Sequence, residues 1–280
     1  MTAEGLVDSL VTALGLPASC RVDQRVPKKM LIDHGAPTAA DKRLLNDCVE
    51  SVQWLAALKP HTVGVPIWRG DEREYLEIAV LAVTLRHEST LPTSPASVAR
   101  LNELLHRAVP YPVLLLMGVN GAPHGLTVSA AHKRWAHNEA GKVVLDGDVL
   151  AAALTGTAPG VPAVFLQAMA LRQQPHTHLL ALYEGWMACL LALQVAQHTG
   201  RFVCQNGLQP LRGKREQLQK YEQLLADAAH LRSQAGKAKQ MAQQVELNLA
   251  LQRVQARVAQ ARSQLSPDTQ NLNNPNNPAH

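Results

Sequence analysis

The chain predicts an α+β fold: a mixed or antiparallel sheet with packed helices, then a helical pair, then a C-terminal coiled-coil-like helical arm. Three observations predict it. Helix and strand signatures up to residue 155 run helix–strand–strand–helix–strand–strand, an order unlike the regular βα repeat of a parallel sheet. From residue 161 the pattern becomes purely helical. The positive charge is concentrated in one Gln/Ala-rich stretch: Arg212–Leu265 carries ten Lys/Arg against four Asp/Glu, a net +6, whereas the whole chain is +5. A near-neutral body therefore carries a basic arm. The expected organisation is an α+β domain over 1–155, a helical pair packed on it over 161–200, the arm over 212–265 and a disordered Asn/Pro-rich tail over 266–280.

Leu6, Leu10 and Leu14 mark a short amphipathic helix that Pro17 closes. An exposed basic run follows, with Arg21, Arg25, Lys28 and Lys29. Thr38 suits an N-cap and Asp41, three residues on, suits the positive end of a helix. Leu44, Leu45, Cys48, Val52 and Leu55 continue at helical spacing to Pro60, with Trp54 beside the stripe. The stretch 61–67 is a short strand candidate. Glu74–Leu85 is a stronger one, apolar on both faces in its second half and hence central in its sheet. Ser94-Pro95 is an N-cap followed by the residue favoured at the first helical position, and the helix runs to Pro110. Residues 111–118 and 126–132 read as strands around Asn120-Gly121, a turn dipeptide. Residues 143–145 and 149–153 flank Asp146-Gly147 as one further turn.

After the linker 156–160, helices are expected over 161–172 and 177–197, broken by Pro175 and stopped by Gly200. In the arm, Leu247, Leu251, Val254, Val258, Ala261 and Leu265 alternate steps of four and three, a coiled-coil seam. Leu218, Tyr221, Leu225 and Ala228 obey the same rule in another phase. The arm is either one helix with a phase skip or a hairpin folding back near Gly236, and the two-segment form is favoured.

Composition excludes some functions. Aromatics are 4% of residues, too few for base-stacking platforms of the kind that grip single strands. No uninterrupted apolar run approaches the ~18–20 residues of a membrane span. Glu4 and Asp8 near the start, without a basic leader, argue against a signal peptide. Cys20, Cys48, Cys189 and Cys204 have no metal-type spacing. A cytoplasmic protein with reduced thiols and no membrane contact is the expectation.

Catalytic signatures are scarce. No Gly-rich phosphate loop precedes a Lys-Ser/Thr pair, and no Ser sits between glycines as in a nucleophile elbow. His132 with His137, and His176 with His178, lack the spacing and third ligand of a metal site. A metal-dependent nuclease built on Asp41, Glu50 and Glu77 would need a Lys shortly after Glu77, but the sequence there is Glu77-Ile78-Ala79, and Arg86 lies too far along. No cofactor, metal or catalytic residue is assigned. The donors best suited to phosphate are Arg21, Arg25, Lys28, Lys29, Lys133 and Arg134, the last two beside the indole of Trp135.

Six segments together carry a resemblance: RVDQRVPKK, APTAADKRLLNDCVESVQWLAALKP, REYLEIAVLAVTLR, LHRAVPYPVLLL, AHKRWAHNEAGKVVLDG and LLALYEGWMACLLALQ. In wording and order they resemble the bacterial domain-of-unknown-function family numbered 4391, over roughly Leu16 to Leu265. The resemblance implies no activity and no residue roles. It implies company: members sit beside helicase, DNA methyltransferase and restriction-like genes in defence clusters. The expectation is thus a non-enzymatic accessory or adaptor subunit of a restriction-modification or phage-defence system. It would dock a helicase or methyltransferase and contact DNA, with the arm also suited to homo-oligomerisation. The alternatives are the divergent nuclease and a purely structural coiled-coil scaffold.

Overall fold

The computed structural model describes residues 3–86, 94–119, 125–137, 139, 141–154, 161–204 and 211–265. In chain order come α1 (Ala3–Leu14), β1 (Arg21–Arg25), α2 (Lys28–Gly35), α3 (Ala39–Cys48), β2 (Val49–Leu58), the one-turn α4 (Pro60–Val63) and the short β3 (Trp68–Arg69) and β4 (Glu74–Tyr75). Then follow β5 (Ile78–Leu85), α5 (Pro95–Ala108), β6 (Val113–Val119), β7 (Leu126–Ala130), β8 (Lys133–Trp135), β9 (Val143–Leu145) and β10 (Leu150–Leu154). Four helices close the described chain: α6 (Val161–Met169), α7 (Leu179–Thr199), α8 (Leu211–Lys237) and α9 (Met241–Leu265). The chain divides into two compact units, Met1–Gln194 with Phe202–Gly207, and Val195–Arg201 with Leu208–His280.

In the first unit a mixed α+β fold forms, as the order of helix and strand signatures predicts. The main sheet runs β1-β2-β5-β6-β7-β10. β5 and β6 are parallel, joined by α5 as a crossover, and every other pairing in this sheet is antiparallel. β5 lies between β2 and β6, so its IAVLAVTL run is covered on both faces. Side chains alternate across a strand, so Ala79, Leu81, Val83 and Leu85 with Val113, Leu115 and Met117 share one face. They pack there with Leu31 of α2, Leu45 of α3 and Leu101, Leu104 and Leu105 of α5. Val80, Leu114 and Leu116 are equally buried on the other face, where α1 touches β6 and β7 and packs on α6. Gly35 lets α2 approach α5 closely, since a Cβ there would lie 2.5 Å from the Leu104 carbonyl oxygen.

α7 is apolar all round because this unit surrounds most of it. It is long and apolar enough to cross a membrane by composition, yet 72% of its most apolar window is buried inside the fold. The Tyr183 hydroxyl accepts from the Ala131 N–H at 2.9 Å and lies 2.8 Å from the Val113 carbonyl oxygen, fastening the helix to β6 and to the end of β7. Trp186 donates to the Met169 carbonyl at 2.9 Å, tying α7 to α6.

Several local expectations are corrected. The helix begun by Thr38, whose hydroxyl accepts from the Asp41 N–H at 3.1 Å, ends at Cys48; residues 49–58 are strand β2. The expected strand over 61–67 is instead the turn of α4, with Pro60 first in the helix and Gly64 leaving it at φ 70°. Glu74–Leu85 divides into β4, paired with β3, and β5. The basic run 21–29 is ordered as β1 and the start of α2. Residues 143–145 do not pair with 149–153: β9 pairs with β8, and β10 extends the main sheet beside β7. α6 stops at Met169 rather than residue 172, and Gln174 takes the freed Ala168 and Ala170 carbonyls through its amide nitrogen at 2.6 and 3.1 Å. The turn at Asn120-Gly121 and the tail from 266 lie outside the described residues.

In the second unit, α8 and α9 are joined by three residues and pack along each other, so the arm is an antiparallel hairpin. The chain reverses over 238–240, and Gly236 lies within α8. Leu218, Tyr221, Leu224 and Ala228 are buried in α8, and Ala261 and Leu265 in α9. Leu224 takes the buried place assigned to Leu225. Towards the turn the α9 seam stays half-buried at Leu247, Leu251, Val254 and Val258. The end of α7 belongs to this unit: His198 meets Glu222 at 3.3 Å and the Tyr221 ring edge-on at 5.2 Å.

Candidate functional site

The six cations singled out from sequence do not form one surface. Arg25, Lys28 and Lys29 lie where β1 hands over to α2. Val26 donates to the Val52 carbonyl at 2.9 Å, which holds this corner against β2. Lys28 reaches across to donate to the Val49 carbonyl at 2.7 Å. Arg86, just past β5, donates its backbone N–H to the Cys48 carbonyl at 2.9 Å and so ends at the same corner. Burial pushes the Lys28 ammonium below its ordinary pKa, and the positive charges of Arg86 and Arg25 push it the same way. Burial is the larger cause, and the smaller push from Arg86 and Arg25 shows that these cations stand near one another. A groove of about 360 Å³ opens here, lined by Arg25, Val26, Pro27, Lys28, Glu50, Ser51 and Val52. Glu50 partly opposes the patch. Arg86 is the member that sequence reasoning left out, because nothing local brings residue 86 beside residue 28; only the β1–β2–β5 order does.

Arg21 stands at the other end of β1. Its guanidinium is bidentate to Asp23, at 3.1 and 2.8 Å, within the register shift that separates it from Gln24. Asp23 adopts φ 47°, a left-handed conformation that Asp tolerates better than most residues. Arg134 lies in the β8–β9 sheet, where it donates to the Trp135 carbonyl at 3.1 Å and faces Asp146, which Arg73 also holds at 2.5 Å.

Lys133 is a correction. As an exposed phosphate contact it would need solvent, yet it is 5% exposed. Its ammonium donates to the carbonyls of His106 and Val109, the unpaired groups that end α5. A cation at a helix C-terminus satisfies both the hydrogen-bonding need and the negative end of the macrodipole. Burial nevertheless pushes its pKa down to about 7.

Beside Lys133, His106 is fully buried, and burial together with the Lys133 charge holds it down at about 3, so the ring is neutral. Ser129 donates its hydroxyl hydrogen to the Asn102 Oδ1 at 2.8 Å, and the His106 Nε2–H donates to Ser129 at 3.0 Å. That assignment makes Nδ1 the bare nitrogen. The Ser–His–Asn series resembles a nucleophile relay only in composition. Ser129 is 0% exposed, so no substrate reaches it. Its role is to join α5 to β7. A cleft of about 710 Å³ lies above, walled by the end of α2 and the two residues after it, α5 and the β8–β9 hairpin, with Arg107 and Lys142 at its sides.

Two of the three carboxylates of the nuclease alternative are held in ion pairs. Asp41 takes a bidentate hold from Arg100, at 2.8 and 2.9 Å, and that bond, with the Thr38 hydroxyl, lowers its pKa to about 2. Glu77 is paired with Lys59 at 3.0 Å, so the lysine missing after Glu77 in sequence arrives from just past the end of β2. Among the described residues no three His, Cys, Asp or Glu side chains converge as metal ligands.

The six resemblance segments lie on β1 and the start of α2, on α3 and β2, on β4 and β5, on the end of α5 and β6, on β8 and β9, and on α7, all within the first unit. No curated protein and no solved structure matches the chain. A family model described as Domain of unknown function (DUF4391) matches residues 14–258, from the end of α1 well into α9, and the chain belongs to that family.

Proposed function

We propose that this protein is a non-enzymatic accessory or adaptor subunit of a bacterial DNA-processing system, of the restriction-modification or phage-defence kind, that docks a helicase or DNA methyltransferase. One observation carries the reading. The basic hairpin bears an uncovered apolar stripe near its turn: Met241, Val245 and Leu249 are 78%, 53% and 51% exposed. Steps of four place the three on one helix face. Apolar side chains aligned on a charged helix suit a helix-in-groove contact with another protein. The Arg25, Lys28, Lys29 and Arg86 corner, on the other unit, is the surface suited to DNA phosphate.

The test is co-purification of the tagged chain from its own host after nuclease treatment. Recovery of a helicase or methyltransferase in stoichiometric amount supports the adaptor. Recovery of the chain alone, once nucleic acid is removed, contradicts it.

A further inference from the structure

We propose that Cys189 and Cys204 form a redox-active dithiol, which low-molecular-weight disulfides of the glutathione type convert to an intramolecular disulfide. The two sulfurs lie 3.4 Å apart. A disulfide bond is about 2.0 Å long, so the sulfurs need to close by only about 1.4 Å. The residues are 15 apart in sequence, so the closed loop is short and little chain entropy opposes it. The pair is also held in place. Cys189 is buried on α7, within 3.6 Å of the Ala168 carbonyl oxygen. Two residues before Cys204, the Phe202 ring packs edge-on against Phe165 at 5.9 Å. The other two cysteines differ: Cys20 and Cys48 are buried on separate elements, and Cys20 faces the Thr62 carbonyl.

Exposure divides the roles. Cys204 is half-buried and meets solvent, whereas Cys189 is fully enclosed. The neighbouring Cys204 sulfur and burial push the Cys189 thiol well above its ordinary pKa, so it stays protonated until its partner reacts. The Cys204 thiolate attacks the small disulfide RSSR, forming a Cys204–SR bond and releasing RS⁻. Cys189 then loses its proton to solvent and attacks the Cys204 sulfur, forming the Cys189–Cys204 bond and releasing the second RS⁻. The two thiolates are reprotonated, so the protein is oxidised by two electrons and RSSR is reduced to two RSH. The new bond would anchor residue 204 to α7, leaving only residues 205–210 between that anchor and α8.

The experiment incubates the reduced, full-length protein with oxidised glutathione, quenches with acid, digests without reductant and maps peptide masses. The expected product is a cross-linked Cys189–Cys204 peptide that dithiothreitol restores to two thiols. Cys189→Ser should retain a stable glutathione adduct on Cys204, and Cys204→Ser should leave Cys189 unmodified. A lasting adduct on Cys204 in the wild type with Cys189 still a thiol, or a cross-link through Cys20 or Cys48, overturns the proposal. So does complete lack of reaction under conditions that oxidise a control dithiol. The wild-type map decides by itself if a variant fails to fold.

Discussion

Lys133 and Asp41 show how the surroundings of a charged side chain decide what it does. Lys133 reads from sequence as a surface cation, because His132-Lys133-Arg134-Trp135 resembles a polar patch; only the fold shows that its carbon stem runs under the end of α5. Its folded pKa, about 7, lies below the unfolded value of ~10.4. Between those values the unfolded chain binds more protons, so stability should rise with pH through that window. Urea unfolding of Lys133→Met should lose this rise, while its affinity for duplex DNA stays at the wild-type level; a weakened affinity would return Lys133 to the phosphate surface. Asp41 has the opposite sign. Its folded pKa of about 2 lies below the unfolded ~3.9, so its contribution is present above about pH 4 and is lost as pH falls through 2. Asp41→Asn should cost on the order of 1–2 kcal/mol at neutral pH, discounted because Arg100 is partly solvated, and the gap from wild type should close in acid. Here the sequence was informative: Thr38 and Asp41 announced the helix start, though not the arginine from α5 that completes it.

At the scale of elements, legibility depended on whether two periodicities could be told apart. Central β5, the cap at Ser94 and the α9 seam were each visible, because continuous burial, N-cap chemistry and the four-three step have no competing reading. β2 was not. Its register shifts between Val49 and Ser51 and between Trp54 and Ala56, so its early buried positions, Val49, Val52 and Leu55, fall three apart. Steps of three mimic a helix, and the stripe from Leu45 to Leu55 crossed a helix–strand junction unseen. The β8–β9 pairing was hidden for another reason, since both strands are three residues long and carry almost no periodic signal. The basic corner is a product of strand order and has a testable consequence. Replacing Arg25, Lys28 and Arg86 together by Ala should weaken duplex binding alike for unrelated sequences. It should also reduce the slope of log K against log salt by roughly one for each phosphate no longer neutralised. Fluorescence anisotropy across a salt series measures both; equal slopes for variant and wild type would move the DNA surface elsewhere.

For the whole molecule, the division of charge follows the division into units. The near-neutral first unit supplies a sheet with covered faces, and the second supplies a two-helix hairpin whose net charge accounts for all of the chain's excess. A two-helix hairpin cannot enclose its seam on every side, which leaves Leu247, Leu251, Val254 and Val258 half-buried and Met241, Val245 and Leu249 in water. The sequence located the seam but not this outer stripe, because Met241, Val245 and Leu249 step by four only, outside the four-three rule that marks the seam. The central claim is that the stripe docks a protein. The direct measurement is nuclease-treated co-purification from the host with three chains: wild type, the Met241→Ser/Val245→Ser/Leu249→Ser variant, and the Arg25→Ala/Lys28→Ala/Arg86→Ala variant. The three stripe positions are exposed, so that variant should keep the wild-type unfolding midpoint, whereas the basic-corner variant loses the Lys28 bond to the Val49 carbonyl and should unfold slightly earlier. The account predicts that the helicase or methyltransferase is recovered with wild type and the basic-corner variant and is absent with the stripe variant. Undiminished recovery with the stripe variant would contradict it.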